Sequence, residues 1–386
     1  MSEALFWLSF ALLAYIYFGY PVVAALRAWL HPRRSVRRPI EPSVSILVIA
    51  HNEAGRIDTR IENLLALDYP SDRIEIVIAS DGSDDETVAR ARRYEDSGVR
   101  VCAFDERRGK SAVLNAVVPT LHGSIVLFAD ARQRFDRDVL HAIVRNFADP
   151  AVGAVSGELM LEATPGTTGA GHGTAFYWRY EKFVRSMESR ADSTICATGA
   201  VYAIRRDAFE PIPDDTILDD ILIPMRLVRR GYRVLFEPDA RAYDSVAPSA
   251  RHELTRKMRT NAGLFQLFAR ERWLFNPLRN RLWFETMSHK GLRLALPLLH
   301  VSLLAATFAL ADAPLYRIAL AGQLLFYAAA IIGHTRRDAR RRSIVFSVPY
   351  AICLLSWAAA VGFVRFATRR QQVTWDRVPT PGLEKV

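Results

Sequence analysis

The chain has 386 residues, half of them hydrophobic and 24% charged, with 51 Lys and Arg against 41 Asp and Glu. At about 150 residues per domain this length allows two or three units, and the composition excludes a disordered chain, a collagen-like chain and a small disulfide-rich module. The surplus of positive charge collects in arginine runs beside apolar segments, which points to a membrane surface before nucleic acid.

Residues 5–26 are apolar and uncharged, and at about 1.5 Å per helical residue they cover a hydrocarbon core of roughly 30 Å. Glu3 precedes the run, and Arg27, Arg33, Arg34, Arg37 and Arg38 follow it. This charge order suits a retained anchor better than a cleaved signal peptide, and by the positive-inside rule the chain after Arg27 starts in the cytoplasm. Cys102, Cys196 and Cys353 stand far apart without CxxC spacing, so neither a disulfide framework nor a zinc site is expected.

From residue 42 to 250 short apolar runs alternate with helical patterns, as in an α/β fold with a parallel or mostly parallel sheet. The runs are Val44–Ala50, 74–80, Val99–Phe104 and 124–129, each followed by polar residues, as strands buried on both faces would be. Their carboxyl ends lead into His51-Asn52-Glu53, Asp81-Gly82-Ser83-Asp84-Asp85 and Asp130-Ala131-Arg132. Ligands of open α/β sheets bind beyond those ends, so three acidic clusters on one rim mark the candidate site. Lys110 follows the third run, where an ammonium can meet phosphate oxygens. Phe104 stands where a P-loop needs its first glycine, and AHNEAG after the first strand is not a GxGxxG fingerprint.

Residues 251–293 read as basic, amphipathic interfacial helices, with Trp273 as an interfacial anchor and His289 facing lipid headgroups. Three apolar runs follow at 294–311, 316–333 and 344–364, then a tail over 366–386. With Arg336 to Arg342 cytoplasmic, Arg365, Arg369 and Arg370 fall outside, so one late segment is expected to be interfacial or re-entrant.

In order along residues 44–263, the stretches VSILVIAHNE, IVIASDGSDDET, ERRGKSAVLNA, IVLFAD, TGAVYAIRRDAF and DDTILDDILIPMRLVRRGYRV resemble a membrane-embedded family 2 glycosyltransferase. The resemblance implies a GT-A type domain over 42–250, between membrane helices at 1–30 and 294–365. It implies inverting transfer of a hexosyl or N-acetylhexosaminyl group from a nucleotide-diphospho-sugar, usually a UDP-sugar, to a lipid-linked or polysaccharide acceptor. The expected setting is the inner membrane, with the catalytic domain cytoplasmic, no nucleic acid bound, and polysaccharide export proteins as possible partners.

Carried over by position, Glu53 and Asp81 hold the nucleobase and ribose, Lys110 the diphosphate, and Asp130 the nucleotide or a divalent cation, Mg²⁺ or Mn²⁺. Thr198, Gly199 and Ala200 form the acceptor-side loop, Asp220 is the general base, and Asp219 is its structural partner. Arg256 and Arg259 are candidates for the leaving-group charge. Such a displacement needs a carboxylate to take the acceptor hydroxyl's proton and positive charge to stabilise the departing diphosphate.

Two positions depart from the family pattern. Arg132 replaces the second acid of the Asp-x-Asp metal motif, and Thr260 stands where processive members carry Trp. Two alternatives therefore remain open: a processive polysaccharide synthase, and a catalytically silent membrane subunit of a synthesis or secretion complex.

Overall fold

The computed structural model describes the backbone of residues 1–162, 171–245, 250–336 and 343–374. The chain divides into two compact units, one made of Met1–Arg27, Ala163–Val184 and Val246–Gln371, the other of Ala28–Glu162, Arg185–Ser245 and Gln372–Val386.

Among the described residues the second unit is built on eight strands: β1 Val44–Ala50, β2 Ile74–Asp81, β3 Val99–Phe104, β4 Ile125–Asp130, β5 Arg134–Phe135, β6 Val152–Glu162, β7 Val201–Arg205 and β8 Arg233–Ser245. They form one sheet in the order β3-β2-β1-β4-β7-β6-β8-β5. All seven residues of β1 are buried, which explains its unbroken apolar run. β1 pairs in parallel with β2 and β4, with Ala50 opposite Ser80 and Ile49 opposite Asp130. Asp81 and Asp130 thereby leave the sheet at one rim.

The sheet is mixed rather than mostly parallel. β7 runs antiparallel to both β4 and β6, and β5 antiparallel to β8, while β6 and β8 pair in parallel. β6 carries two glycines and β8 carries Arg233, Glu237, Pro238 and Asp239, so neither shows the continuous apolar run that marks the first half. Two register irregularities, between Val152 and Ala154 and between Ser156 and Glu158, bend the β6–β8 pair. Gly157 allows that pairing, because a Cβ there would sit 2.4 Å from the Ala240 carbonyl oxygen.

Among the described residues three helices, wholly or mostly of the first unit, are long and apolar enough to cross a membrane: Ser2–Leu30, Pro314–Thr335 and Ile344–Ala367. Trp283–Leu294 and Leu296–Ala309 pass together but are bent by 63°, the geometry of a broken span or re-entrant loop. The bend falls where Pro297 removes a backbone donor from the first turn of the second helix. Phe6, Leu13, Ile16, Leu296, Leu303, Ala306 and Tyr316 form the unit's buried apolar cluster. Leu298, Val301, Leu325 and Ile331 are exposed, an outward apolar face suited to lipid.

Trp273 is buried against protein, its indole donating to Glu271, and Phe275 and Leu278 are the exposed apolar side chains of that loop instead. His289 is also buried rather than turned to headgroups, because Glu181 accepts it at 3.1 Å. Residues 337–342 of the basic block and 375–386 of the tail lie outside the described residues.

Candidate active site

The loops after β1 and β2 are laced together by side-chain-to-backbone hydrogen bonds. Asn52 takes a left-handed φ of 56°, its amide donates to Ser83 Oγ, and its side-chain oxygen accepts from the Asp84 amide. The Glu53 amide donates to Thr87 Oγ1 and the Ala54 amide to Asp85, which also accepts from the Thr87 amide. Asp85 is thus a turn-forming acid, while the Glu53 carboxylate pairs with Arg56 at 3.3 Å. Asp81 is fully buried and accepts from the backbone amides of Arg108 at 2.6 Å and Gly109 at 3.0 Å. It clamps the loop that leads into the helix Lys110–Val117 and so sets where Lys110 emerges.

Lys110 links two strand systems. Its ammonium lies 3.1 Å from Asp219 and 3.7 Å from Asp130. Burial alone would lower the Lys110 pKa, but Asp219, then Asp130 and Asp220, hold it above the ordinary lysine value. Asp219 and Asp220 open the helix Asp219–Arg229, where the positive end of the helix dipole favours acids. Tyr202 on β7 donates its hydroxyl to Asp219 at 3.2 Å. Burial and the charges of Asp219 and Asp220 keep that phenol protonated, so it acts as a fixed donor.

Asp220 is half-buried, and its backbone carbonyl accepts from the Ala197 amide at 2.8 Å. This bond brings the 198–200 loop alongside: a Cβ on Gly199 would come 3.4 Å from an Asp220 carboxylate oxygen. Thr198 is held by Ser156 Oγ at its amide and by Arg185 at its hydroxyl. Lys110, Asp130, Asp219, Asp220, Thr198 and Gly199 therefore gather in one neighbourhood, with Asp81 behind Lys110 and Glu53 on the adjoining loop. Arg256 and Arg259 belong to the other unit, on the helix Ala250–Arg270, where Arg256 pairs with Glu253.

Residues 45–212 match the family model described as glycosyl transferase family 2. The chain carries a family 2 glycosyltransferase domain. The chain is 26% identical over 200 residues to the poly-beta-1,6-N-acetyl-D-glucosamine synthase of Staphylococcus aureus, covering 50% of this chain and 48% of that protein. It is 28% identical over 207 residues to the beta-monoglucosyldiacylglycerol synthase of a Synechocystis species, covering 50% of this chain and 42% of that one. The chain thus spans about half the length of the curated relatives it matches. Among solved structures, a mannosyltransferase from Pyrobaculum calidifontis, in complex with GDP-Man and Mn²⁺, superposes with a TM-score of 0.71 at 25% identity, covering 96% of this chain and all of that one. The α/β fold is of the GT-A type.

Whether the domain can hold a divalent cation turns on the Asp130-Ala131-Arg132 stretch. Among the described residues no group of three or more His, Cys, Asp and Glu gathers as a protein-only metal cage. Arg132 is turned onto Asp244, 3.0 Å away, and Asp244 also accepts from Gln133. Asp130 keeps a carboxylate that is 38% exposed. Mg²⁺ and Mn²⁺ at nucleotide sites need only one or two carboxylates besides the substrate's phosphates, so Asp130 fits a cation shared with the donor.

Three residues around the candidate site were not legible in the sequence: Tyr202, Arg185 and Asp244. Tyr202 offered a signal, being a polar-tipped ring inside the apolar strand VYAIR that requires a partner for its hydroxyl. Arg185 and Asp244 reach the site only through tertiary packing.

Proposed function

We propose that this glycosyltransferase moves a hexosyl or N-acetylhexosaminyl group, with inversion, from a nucleotide-diphospho-sugar to a lipid-linked or polysaccharide acceptor at the inner membrane, working from the cytoplasmic side. The observation that carries this reading is Lys110 bracketed by Asp219 and Asp130, with Asp220 next in line and Gly199 leaving space beside its carboxylate. Asp220 takes the acceptor hydroxyl's proton as the new bond forms at the anomeric carbon. Lys110 offsets the charge that grows on the departing diphosphate, and Asp219 together with Tyr202 fixes that ammonium in place. Glu53 and the loop clamped by Asp81 receive the nucleoside. A divalent cation held by Asp130 would supply further charge compensation when bound.

A UDP-sugar is the first donor class and a GDP-sugar the second, the latter favoured by the ligand of the Pyrobaculum enzyme. The relative named as a poly-N-acetylglucosamine synthase favours a second reading, a processive polymerase working with export proteins. A donor-hydrolysis and transfer assay of the purified full chain across UDP- and GDP-sugars tests the proposal. Turnover of one donor class is expected. Absence of turnover with every donor, together with no UDP or GDP binding, would leave the silent-subunit alternative standing.

A further inference from the structure

Between the helix Ala250–Arg270 and the bent apolar pair that starts at Trp283, the chain reads RWLFNPLRNRLW, with three arginines and no acid in residues 272–283. The segment is a built structure. Arg272–Phe275 forms a 3₁₀ turn, and buried Asn280 donates its side-chain amide to the Leu274 carbonyl at 3.0 Å while its side-chain oxygen accepts from the Leu282 amide at 3.0 Å. Asn276 accepts from the Leu278 amide at 2.8 Å, which fixes the turn through Pro277. Leu274 and Leu282 fill the inside, yet Phe275 is 53% and Leu278 94% exposed. Large apolar side chains held outward on an ordered loop, with Trp283 also exposed, mark a surface that meets something apolar.

The flanks of the loop locate that surface. On the entry side, Phe265 lies 5.2 Å from Phe363 and 6.1 Å from Phe366, in the last two turns of the span Ile344–Ala367. One helical turn on from Phe265, Phe268 packs on Phe275 itself at 5.2 Å. On the exit side, Glu285 pairs at 3.1 Å with Arg27, whose guanidinium also lies 5.0 Å from the Phe284 ring. Arg27 stands in the last turn of the N-terminal span, as Arg365 does in Ile344–Ala367. Basic last turns mark where apolar spans leave the hydrocarbon, so both ends of the loop are tied to the headgroup level. All of these residues belong to one unit.

We propose that residues 272–283 form a membrane-seating surface whose partner is an anionic bilayer. Phe275 and Leu278 enter the boundary between headgroups and acyl chains, and Arg272 and Arg279, both exposed, meet lipid phosphates. Charge favours this occupant over a second copy of the chain, since a two-fold contact here would set three arginines against three. The loop is fixed before it meets lipid, so insertion does not have to order it. The surface is independent of the identity of sugar donor and acceptor.

The test places the full chain in nanodiscs of equal parts phosphatidylcholine and phosphatidylglycerol, with an NBD label on Leu278→Cys and with Cys102, Cys196 and Cys353 replaced by Ala. Doxyl-labelled phosphatidylcholine should quench the label about twofold or more, because insertion scales with buried apolar area and with attraction to anionic lipid. Quenching should weaken in nanodiscs of phosphatidylcholine alone, and Arg272→Gln combined with Arg279→Gln should abolish that difference between the two lipids. A label that doxyl lipid leaves unquenched would overturn the proposal, and so would quenching indifferent to phosphatidylglycerol. Concentration-dependent shielding of the label in detergent, without quenching in nanodiscs, would also overturn it by making the loop a contact between copies. Phe275→Trp, with the native cysteines kept, supplies a second readout. The emission it adds to that of the parent should be quenched by brominated phosphatidylcholine, and added emission that brominated lipid does not reach would refute the assignment.

Discussion

Lys110 Nζ lies 3.1 Å from Asp219 Oδ2, so a half-buried ammonium meets a buried carboxylate at the rim where β2 and β4 end. The pair is a bridge between two parts of the sheet, because Asp219 is itself fixed by Tyr202 on β7.

Lys110→Met removes the counter-charge of Asp219 and the cation intended for the diphosphate in one step. Breaking a buried ion pair from one side costs about 3–5 kcal/mol in the interior, and the 21% exposure of the Lys110 side chain reduces this to about 1–3 kcal/mol. UDP affinity by calorimetry should fall at least about tenfold and turnover further. Parental UDP affinity in the variant would remove Lys110 from the donor site.

Asp220→Asn and Asp81→Ala should fail in different ways. A general base acts in the transition state, so Asp220→Asn should lower kcat by about 10²-fold or more while UDP binding stays within a few fold. Asp81→Ala strips the acceptor from the Arg108 and Gly109 amides, loosening the loop before Lys110, so UDP affinity and Tm should fall together. Calorimetry and thermal unfolding on both variants separate the roles, and an Asp81→Ala protein with parental values for both would contradict the clamp.

The first half of the sheet was readable from sequence because its strands are buried on both faces. β1 runs Val44–Ala50 and β3 runs Val99–Phe104, residue for residue as the apolar runs suggest, and β2 and β4 end one residue later than their runs, on Asp81 and Asp130. β6 and β8 were not, since a long strand broken by glycines, prolines and charges has no period to detect. The same divide holds at the site. Asp81 was legible as an acid after a strand, but not its attachment to amides 27 and 28 residues away. Arg132 was legible as a departure from the family pattern, and only packing shows that Asp244 receives it.

Lys257 gives stability a distinctive pH dependence. Its folded pKa of about 8 lies below the unfolded value of 10.5, so between these values the unfolded chain binds more protons and stability rises with pH. Below about 8 the charged, buried ammonium costs stability in full. In neutral detergent without anionic lipid, Tm should climb as pH is raised from about 8 toward 10, relative to a Lys257→Met variant that lacks this component. Parallel Tm profiles for the two proteins would show that Lys257 is not depressed.

The family resemblance makes position 260 a test of product length. Thr260 spends its hydroxyl on the Arg256 carbonyl of its own helix at 3.0 Å and presents no aromatic face for an acceptor sugar. Addition of one or a few sugars is expected from the purified protein. Long polymer made by that protein alone, resolved by mass spectrometry or gel filtration, would favour the processive reading. Thr260→Trp is not expected to create processivity, because one stacking surface is not a translocation path.

The cation requirement should be weak and tied to the donor. Arg132 stands in the place of the second metal acid, but its charge is already answered by Asp244 at 3.0 Å, so it is poorly placed to replace a cation at the diphosphate. That leaves Asp130, whose carboxylate is shared with Lys110 at 3.7 Å. A hard cation held by one carboxylate and the donor's phosphates binds only as tightly as the donor lets it. Titration of Mg²⁺ and Mn²⁺ against donor turnover, starting from chelator-treated protein, should therefore show half-saturation that falls as donor concentration rises. Arg132→Asp should lower the cation concentration required, and because it places a new carboxylate beside Asp244 it should also lower Tm, an effect that Asp244→Asn in the same protein relieves. Full activity in chelator would eliminate the cation and leave Lys110 as the charge that receives the leaving diphosphate.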